Sequence, residues 1–390
     1  MDNNVSKQRN SSIEAFKIFA IVLIVISHVV QTLESNGNGF ISFSGYGISL
    51  SEATTDNQQL TVALLRYSGI LGNTIFFVCS AWFLLDSTIV RKQKILHMFA
   101  DMWTVSVVIL LIVLALKKGK LNGSLILRSL LPATMENNWY VNCYILFYAI
   151  HPMLNRLIHS LSKRTMLRVT LSMITLYLIL SFITLLTRNI MRIGSVFFSS
   201  KLIVWIVIYF IIAYFKLYAN KAAESIPANI VLVTVGFIGF YGLVILTNTI
   251  GLKMELFRNI LQIWNVAYNP FLIALVIGLF LLIRRIRFCS NTVNYISKLS
   301  LFIYIIHENI LLRTLYRPML WNYVHENYGY THILYWAVVI AAMVFVFGFI
   351  ASVLYKETLH RLVALLCDKS YPRLKSKWIS FEDKLENRLH

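Results

Sequence analysis

The sequence predicts an all-α, polytopic integral membrane protein: a bundle of about ten transmembrane helices with both termini in the cytoplasm. Three observations support this fold class. Of the 390 residues, 58% are apolar and only 14% are charged, whereas a soluble globular domain carries about 25% charged residues. The mean hydropathy is +0.68. Apolar runs of about 20 residues, the length that crosses the hydrocarbon core of a bilayer, recur along almost the whole chain.

Basic residues strongly outnumber acidic ones, 36 against 17, for a net charge of +19. On a hydrophobic chain this surplus is typical of positive-inside loops and of contact with anionic lipid, rather than of nucleic-acid binding. No CxxC spacing occurs, so neither a disulfide framework nor a zinc ribbon is predicted. The cysteines are Cys79, Cys143, Cys289 and Cys367.

Ten apolar segments are long enough, or nearly long enough, to be transmembrane helices. The sixth is short, and in the eighth the pair Asn269 and Pro270 interrupts the run, which predicts a kink or a re-entrant segment. The predicted spans are Phe16 to Leu33, Leu60 to Leu85, Phe99 to Leu116, Trp139 to Ile158, Val169 to Leu186, Leu202 to Leu217, Ile230 to Leu246, Leu261 to Ile283, Leu299 to Leu315 and Ile333 to Tyr355.

The placement of Lys and Arg supports a cytoplasmic N-terminus. With that orientation, 24 basic residues lie in inner segments and 11 in outer ones, and Arg66 falls within the second span. The first loop, residues 34–59, contains no Lys or Arg and is predicted to be external. Residues 1–355 are therefore predicted to form a single transmembrane domain, followed by a basic cytoplasmic tail over residues 356–390. The expected location is the cell membrane.

The first span carries an unusual polar stripe of Glu14, Lys17 and His28. At about 100° per residue, the eleven steps from Lys17 to His28 return to within about 20° of the same face, about 16 Å further along the axis. Two interpretations are open: Lys17 snorkels to the surface and His28 bonds a neighbouring helix, or the stripe belongs to a functional site, as intramembrane ionisable residues usually do.

Two later spans carry further candidate residues. Trp139 and Tyr140 begin the fourth span at its external end, where they form either an aromatic interface belt or a platform that stacks on a sugar. In the ninth span, His307 and Glu308 are ionisable neighbours near mid-depth, and Tyr304 lies one turn earlier on the same face. Such an interior pair is either structural or part of a site.

Four motifs, in the right order, resemble those of the acyltransferase type 3 family, integral membrane enzymes that acylate sugars. Residues 13–17 followed by His28 resemble the Arg-x10-His signature of its first helix. Residues 76–84, Phe-Phe-Val-Cys-Ser-Ala-Trp-Phe-Leu, resemble its FFxxSG stretch, and Trp139-Tyr140 with Tyr148 and Pro152 resemble its WYL...Y...P segment. Residues 297–307 resemble its late S...YLxH segment.

The sequence departs from the family pattern at three places. Lys17 stands where the family most often has Arg, which keeps the charge but loses the bidentate fork. Ala81 stands where Gly is usual, so a small residue is retained. The family's RxxR motif has no clean counterpart among Arg91, Lys92 and Lys94.

The resemblance implies a membrane-bound O-acyltransferase that moves an acyl group, expected to be acetyl, from cytoplasmic acetyl-CoA to a hydroxyl of a cell-surface or exported polysaccharide. It implies His28 as general base, a role that suits a neutral imidazole facing an alcohol. Glu14 and Lys17 would serve the cytoplasmic mouth, where Lys17 attracts the phosphates of the donor. No spacing typical of metal ligands is found, so no metal is expected.

Four arginines have two interpretations each. Arg284, Arg285 and Arg287 would help Lys17 to bind the donor, although the positive-inside rule alone accounts for such a cluster. Arg66, near the external end of the second span, either snorkels outward or has a site role, in which it stabilises a developing oxyanion or holds the acceptor.

Two other function classes remain open on the sequence. A transporter or flippase for lipid-linked saccharides, or a polysaccharide polymerase, is also polytopic and basic with intramembrane polar residues. A transporter is expected to show repeats or paired discontinuous helices, and a polymerase a long polar external loop; neither is clear in the sequence. A membrane sensor or scaffold does not require Lys17 and His28 on one face. A bacterial cytoplasmic membrane is the expected setting of the enzyme.

Overall fold

The computed structural model describes residues 10–35, 40–43, 50–116, 121–133, 138–187, 201–253 and 269–389. Within these ranges the chain is a helical bundle with one small sheet, which confirms the all-α class. The elements are α1 Ser11–Val30, β1 Leu33–Ser35, β2 Phe40–Phe43, β3 Ser51–Ala53, α2 Asp56–Leu84, α3 Lys92–Leu116, α4 Gly123–Leu130, α5 Trp139–Ser160, α6 Lys163–Thr187, α7 Lys201–Leu217, α8 Asn220–Glu224, α9 Ile226–Lys253, α10 Pro270–Ile283, α11 Asn291–His307, a π-helical turn Leu312–Tyr316, α12 Arg317–Tyr328, α13 Ile333–Glu357 and α14 Leu359–Leu389.

Five helices of the described chain, α1, α2, α3, α9 and α13, are long and apolar enough to cross a membrane. A sixth span arises if α11 and the segment Leu312–Tyr328, which are bent by 66° relative to each other, are counted together. Large apolar side chains such as Leu111, Ile238 and Phe347 are more than half exposed on the outer faces of these helices. In water such a surface is a liability, whereas in lipid it is the expected exterior of a multi-pass membrane protein.

The eighth predicted span is described only from its interruption onward, because its first part, residues 261–268, lies outside the described residues. Asn269 and Pro270 begin α10: the Asn269 side chain accepts a hydrogen bond of 2.8 Å from the backbone N–H of Leu272, and Pro270 occupies the first helical position. Proline suits that position because its missing N–H has no helical partner there. The pair therefore begins a helix, and whether the chain kinks or re-enters before it lies outside the described residues.

The first loop forms a three-stranded antiparallel sheet in the order β1-β2-β3. It leads into α2, whose first turn is closed by a capping box between Thr55 and Gln58. The Gln58 side chain also donates to the carbonyl of Tyr330, 2.8 Å away. Leu33 and Ile41 of the sheet pack with Trp321 of α12. The loop thus covers the same end of the bundle as the C-terminal end of α1.

Helices α1 and α2 approach each other closely at a glycine. A Cβ atom added to Gly72 would lie 2.5 Å from the backbone carbonyl oxygen of Ala20. Small residues allow such backbone contact, on which helix association in membranes depends.

We expect Gly72→Ala to lower the free energy of unfolding by about 1–3 kcal/mol, because the added methyl forces the two backbones apart. The matched control is Gly242→Ala in α9, where an added Cβ has no atom within 4 Å and helix propensity favours Ala by up to about 1 kcal/mol. Thermal unfolding of both purified variants in detergent measures the difference. Equal melting temperatures would contradict the close contact.

Helices α1 and α11 lie side by side and run in the same direction. Ser11 donates to Asn294 (3.0 Å) near their N-terminal ends, and Ser297 donates to the Glu14 carboxylate. His28 meets His307 at the other end, 3.0 Å apart. The polar stripe predicted on α1 is therefore matched by polar residues of α11. The polar contacts between the two helices extend from Ser11 at one end to His28 at the other.

The tail after α13 is a 31-residue helix, α14, whose first turns pack on α3. Asp101 of α3, which is buried, accepts hydrogen bonds of 2.8 Å from Tyr355 and from His360. Further along, Asp368 accepts from Gln93 and His97, and these hydrogen bonds hold the pKa of the Asp368 carboxyl below its usual range. The beginning of α14 is thereby fixed to the bundle.

Candidate active site

His28 of α1 lies at the centre of a buried cluster of ionisable groups. Its Nδ1 is 2.8 Å from Oε2 of Glu308 and 3.0 Å from Nε2 of His307. The three side chains are nearly inaccessible, at 6%, 4% and 2% exposure respectively. Ionisable groups so deep in an apolar bundle are costly and are retained where they serve a function.

The hydrogen-bond network defines the tautomer of His28. His307 Nδ1 lies 2.7 Å from the carbonyl oxygen of Ile303, which can only accept, so Nδ1 carries the proton of His307 and its Nε2 is an acceptor. Both neighbours of His28 Nδ1, Glu308 Oε2 and His307 Nε2, are therefore acceptors. The proton of neutral His28 consequently sits on Nδ1. Its Nε2 keeps a lone pair and can therefore act as a base.

Two arginines hold the carboxylate of Glu308. Arg313 donates to Oε1 at 2.8 Å, and Arg317 lies 3.3 Å from Oε2. Arg317 is 4% exposed and also donates to the carbonyl oxygens of His28 (2.9 Å) and His307 (2.6 Å). One guanidinium thus ties together the last turn of α1, the last residue of α11 and the carboxylate between them.

A break in the helical chain creates this geometry. Helix α11 ends at His307, and after Glu308 and Asn309 the chain continues through a π-helical turn into α12. Asn309 Oδ1 accepts from the backbone N–H of Leu311 at 3.0 Å, which satisfies a donor that the broken helix leaves free. Broken helices and π-turns within membrane segments are typical of functional sites.

Aromatic rings continue the cluster toward α5. The Tyr304 ring centroid is 5.8 Å from that of His307 and 6.3 Å from that of His28. Tyr140 lies 5.7 Å from Tyr304, and Trp139 follows at 5.7 Å from Tyr140. The structure therefore brings together His28, His307, Tyr304, Tyr140 and Trp139, all of which the sequence singled out.

Trp139 has a cationic neighbour: Nζ of Lys201 in α7 is 3.4 Å from the centre of its ring. A cation over an indole face is attracted by the ring quadrupole. The Trp139 ring is thus already engaged by the protein on one face.

The other end of the stripe is built around Glu14. Its carboxylate is buried, accepts a hydrogen bond from Ser297 and lies 3.6 Å from Nζ of Lys17. Nζ of Lys17 is also 5.6 Å from the Phe83 ring centre. Glu14 and Lys17 form one ion pair, at a level of α1 distinct from that of His28.

The arginines after α10 lie near the end of α2. Arg284 and Arg285 both pair with Glu224 of α8, and the Arg284 guanidinium lies 5.0 Å from the Trp82 ring centre. Arg287 is exposed.

Lys216 of α7 adds a further cation at this end. Its Nζ is 5.0 Å from the Trp82 ring centre and 2.7 Å from Asp86. These ion pairs place a predominantly basic surface beside an indole ring.

Arg66 stands apart from the buried cluster. Its side chain is exposed on α2, while its backbone carbonyl accepts a hydrogen bond from Ser27, the residue before His28. The backbone of this turn of α2 therefore helps to position α1.

His28, His307 and Glu308 also form the kind of group that can hold a metal ion, since their ligand atoms lie within 4.8 Å of one another. The closest contacts, 2.8 and 3.0 Å, are hydrogen-bond distances, whereas ligands around a tetrahedral zinc lie about 3.3 Å apart. Both oxygens of Glu308 already face arginines. The arrangement is that of a hydrogen-bonded pair, His28 and Glu308, whose carboxylate is held by two arginines.

Arg313 and Arg317 belong to the basic residues that the charge bias assigns to outer segments, yet both contact the Glu308 carboxylate and Arg317 is buried. These contacts are not predicted from the sequence. The available signal was the sequence itself: four ionisable residues, His307, Glu308, Arg313 and Arg317, fall within eleven positions of an otherwise apolar segment, and buried charges require partners.

A family model described as an acyltransferase domain, that of acyltransferase type 3, matches residues 10–356, nearly the whole chain. Neither the curated proteins nor the solved structures contain a match.

Proposed function

The chain belongs to the acyltransferase type 3 family, and on this premise we propose that it is a membrane-bound O-acyltransferase that moves an acetyl group from acetyl-CoA to a hydroxyl of a cell-surface or exported polysaccharide. We place it in the cytoplasmic membrane of a bacterium, with both termini inside. One observation carries the proposal: His28 Nδ1 is 2.8 Å from the Glu308 carboxylate, so its Nε2 is available as a base.

The proposed reaction is a direct transfer. His28 Nε2 removes the proton from the acceptor hydroxyl as the oxygen attacks the thioester carbonyl, because an alcohol is a poor nucleophile until its proton is being removed. The tetrahedral intermediate then collapses, the C–S bond breaks, and the imidazolium returns the proton to the departing CoA sulfur. Glu308 stabilises the transient imidazolium and keeps the ring in the required tautomer.

The donor would bind at the end of the bundle that holds Lys17. Its phosphates would meet Lys17, Arg284, Arg285 and Arg287, which requires them to compete with Glu14 and Glu224 for these cations. A phosphate can take part in such competition because its oxygens, like those of a carboxylate, accept charge-assisted hydrogen bonds.

The acceptor would bind on the aromatic side of His28. Tyr140, Tyr304 and Trp139 offer apolar ring faces that suit the C–H face of a sugar, and their polar atoms suit its hydroxyls. His307 would position His28, and Arg66 would contact the acceptor from the exposed face of α2.

The function is tested by the O-acetyl content of the surface glycans of a host, measured by NMR before and after mild alkali, in cells with and without the gene. We expect the alkali-labile acetyl signal to disappear without the gene. Isolated membranes should transfer label from radioactive acetyl-CoA to glycan equally well with and without EDTA. Unchanged acetylation without the gene would contradict the proposal, and transport or polymerisation of a lipid-linked saccharide would then be tested.

A further inference from the structure

The distal half of α14, from Tyr371 to Leu389, carries a partly exposed apolar stripe. Leu374, Trp378 and Phe381 are 51%, 55% and 57% exposed, and the Trp378 and Phe381 rings are 6.1 Å apart. Tyr371, Leu374, Trp378, Phe381 and Leu385 recur at alternating steps of three and four. At about 100° per residue, these positions fall within about 80° of helix surface.

The charge pattern identifies what covers the stripe. From Lys369 to Phe381 the sequence contains four basic residues and no acidic residue, and the remainder to Leu389 mixes Lys384 and Arg388 with Glu382, Asp383 and Glu386. Lys375 and Lys377 lie about 80° to either side of the centre of the stripe, from where their stems can follow the apolar surface while the ammonium groups reach phosphate. Ser376 lies on the opposite face. This is the pattern of a helix that lies in the plane of a membrane interface.

The position of α14 in the fold brings it to a membrane surface. It begins two residues after the end of α13 at Glu357, a helix long and apolar enough to span. Its first turns are held by Asp101 and by the Asp368 contacts with α3. Pro372, inside the helix, removes one backbone hydrogen bond and makes bending easy there. The distal half can thus turn from the docked part onto the bilayer.

We propose that the distal half of α14 is a membrane-surface helix that inserts Leu374, Trp378 and Phe381 between lipids and binds the headgroups of anionic phospholipids through Arg373, Lys375, Lys377 and Lys384. This binding surface goes beyond the proposed acyl transfer and does not depend on it. A coiled coil with a second copy fits less well, because the stripe covers only about two heptads and stable coiled coils need three or four.

The test uses the full-length protein in nanodiscs that hold one protein each. An environment-sensitive fluorophore is attached at Leu374→Cys or, as the opposite-face control, at Ser376→Cys, in a Cys289→Ser background. With discs containing phosphatidylglycerol, we expect the Leu374 probe to shift to the blue and to be quenched by lipids that carry a nitroxide. The Ser376 probe should instead be quenched by aqueous iodide.

Two changes should reduce the blue shift and the nitroxide quenching of the Leu374 probe severalfold. One is the replacement of phosphatidylglycerol by phosphatidylcholine. The other is the triple variant Arg373→Gln, Lys375→Gln, Lys377→Gln; high salt should weaken the signal as well, because 1 M salt shortens the Debye length from about 10 Å to about 3 Å. The matched triple variant Lys163→Gln, Arg164→Gln, Arg168→Gln, on exposed positions of α6, should keep it.

Solvent-like emission from both probes in anionic discs would overturn the proposal. A signal that is equal in both lipids would overturn the role of anionic headgroups. A blue shift that arises only when a disc holds two copies would assign the stripe to self-association instead.

Discussion

His28→Ala is expected to lower the rate of acetyl transfer by about 100- to 10,000-fold, the range that general-base catalysis contributes. Alanine removes Nε2, the proposed proton acceptor, while the binding sites for donor and acceptor remain. The measurement is transfer of label from radioactive acetyl-CoA to glycan in membranes with matched protein abundance. The loss should appear in kcat rather than in the KM for acetyl-CoA, because the proposed donor site lies at the other end of the stripe.

Two further variants make this result specific. His332→Ala removes an imidazole that is exposed at the start of α13 and should retain full activity. Glu308→Gln should reduce kcat as well but less severely than His28→Ala, because an amide oxygen still accepts from Nδ1 but no longer stabilises the imidazolium. Activity of His28→Ala close to that of the wild type would remove His28 from the chemistry and with it the proposed mechanism.

Arg317→Met is expected to lower the free energy of unfolding by about 3–5 kcal/mol, the usual cost of removing one member of a buried ion pair. The substitution leaves Glu308 with a weaker counter-charge and leaves the carbonyls of His28 and His307 without the donor that Arg317 supplies. Thermal unfolding in detergent measures the loss. The melting temperature should fall well below that of Gly72→Ala.

A double variant separates the charge from the packing. In Arg317→Met with Glu308→Gln, the buried carboxylate is gone, so part of the lost stability should return. The exposed residue Arg156 of α5 provides the control: Arg156→Met should change the stability by less than about 0.5 kcal/mol. If the melting temperature of Arg317→Met equals that of Arg156→Met, the Arg317 guanidinium does not stabilise the site.

The sequence predicts the all-α class that the structure shows. His28, Tyr304 and His307, each polar in an apolar run, also lie together in the structure. The break after His307 is not predicted from the sequence, since neither proline nor glycine marks it.

The contacts that hold the site together are tertiary, and for that reason they are not predicted from the sequence. The break is satisfied by Arg317, which reaches carbonyls of two different helices. Such contacts between residues far apart in the chain cannot be read from local spacing. The burial of Arg317 is likewise a property of the packed bundle, whereas the positive-inside rule counts only sequence position.

The parallel course of α1 and α11 determines which part of the donor would have to move in the proposed reaction. Glu14 and Ser297 meet at one level of this pair, and His28 and His307 meet at another. In the proposed transfer, only the two-carbon unit at the tip of the donor's flexible arm would move from the level of Glu14 to the level of His28. The nucleotide of the donor would stay at the end of the bundle that holds Lys17.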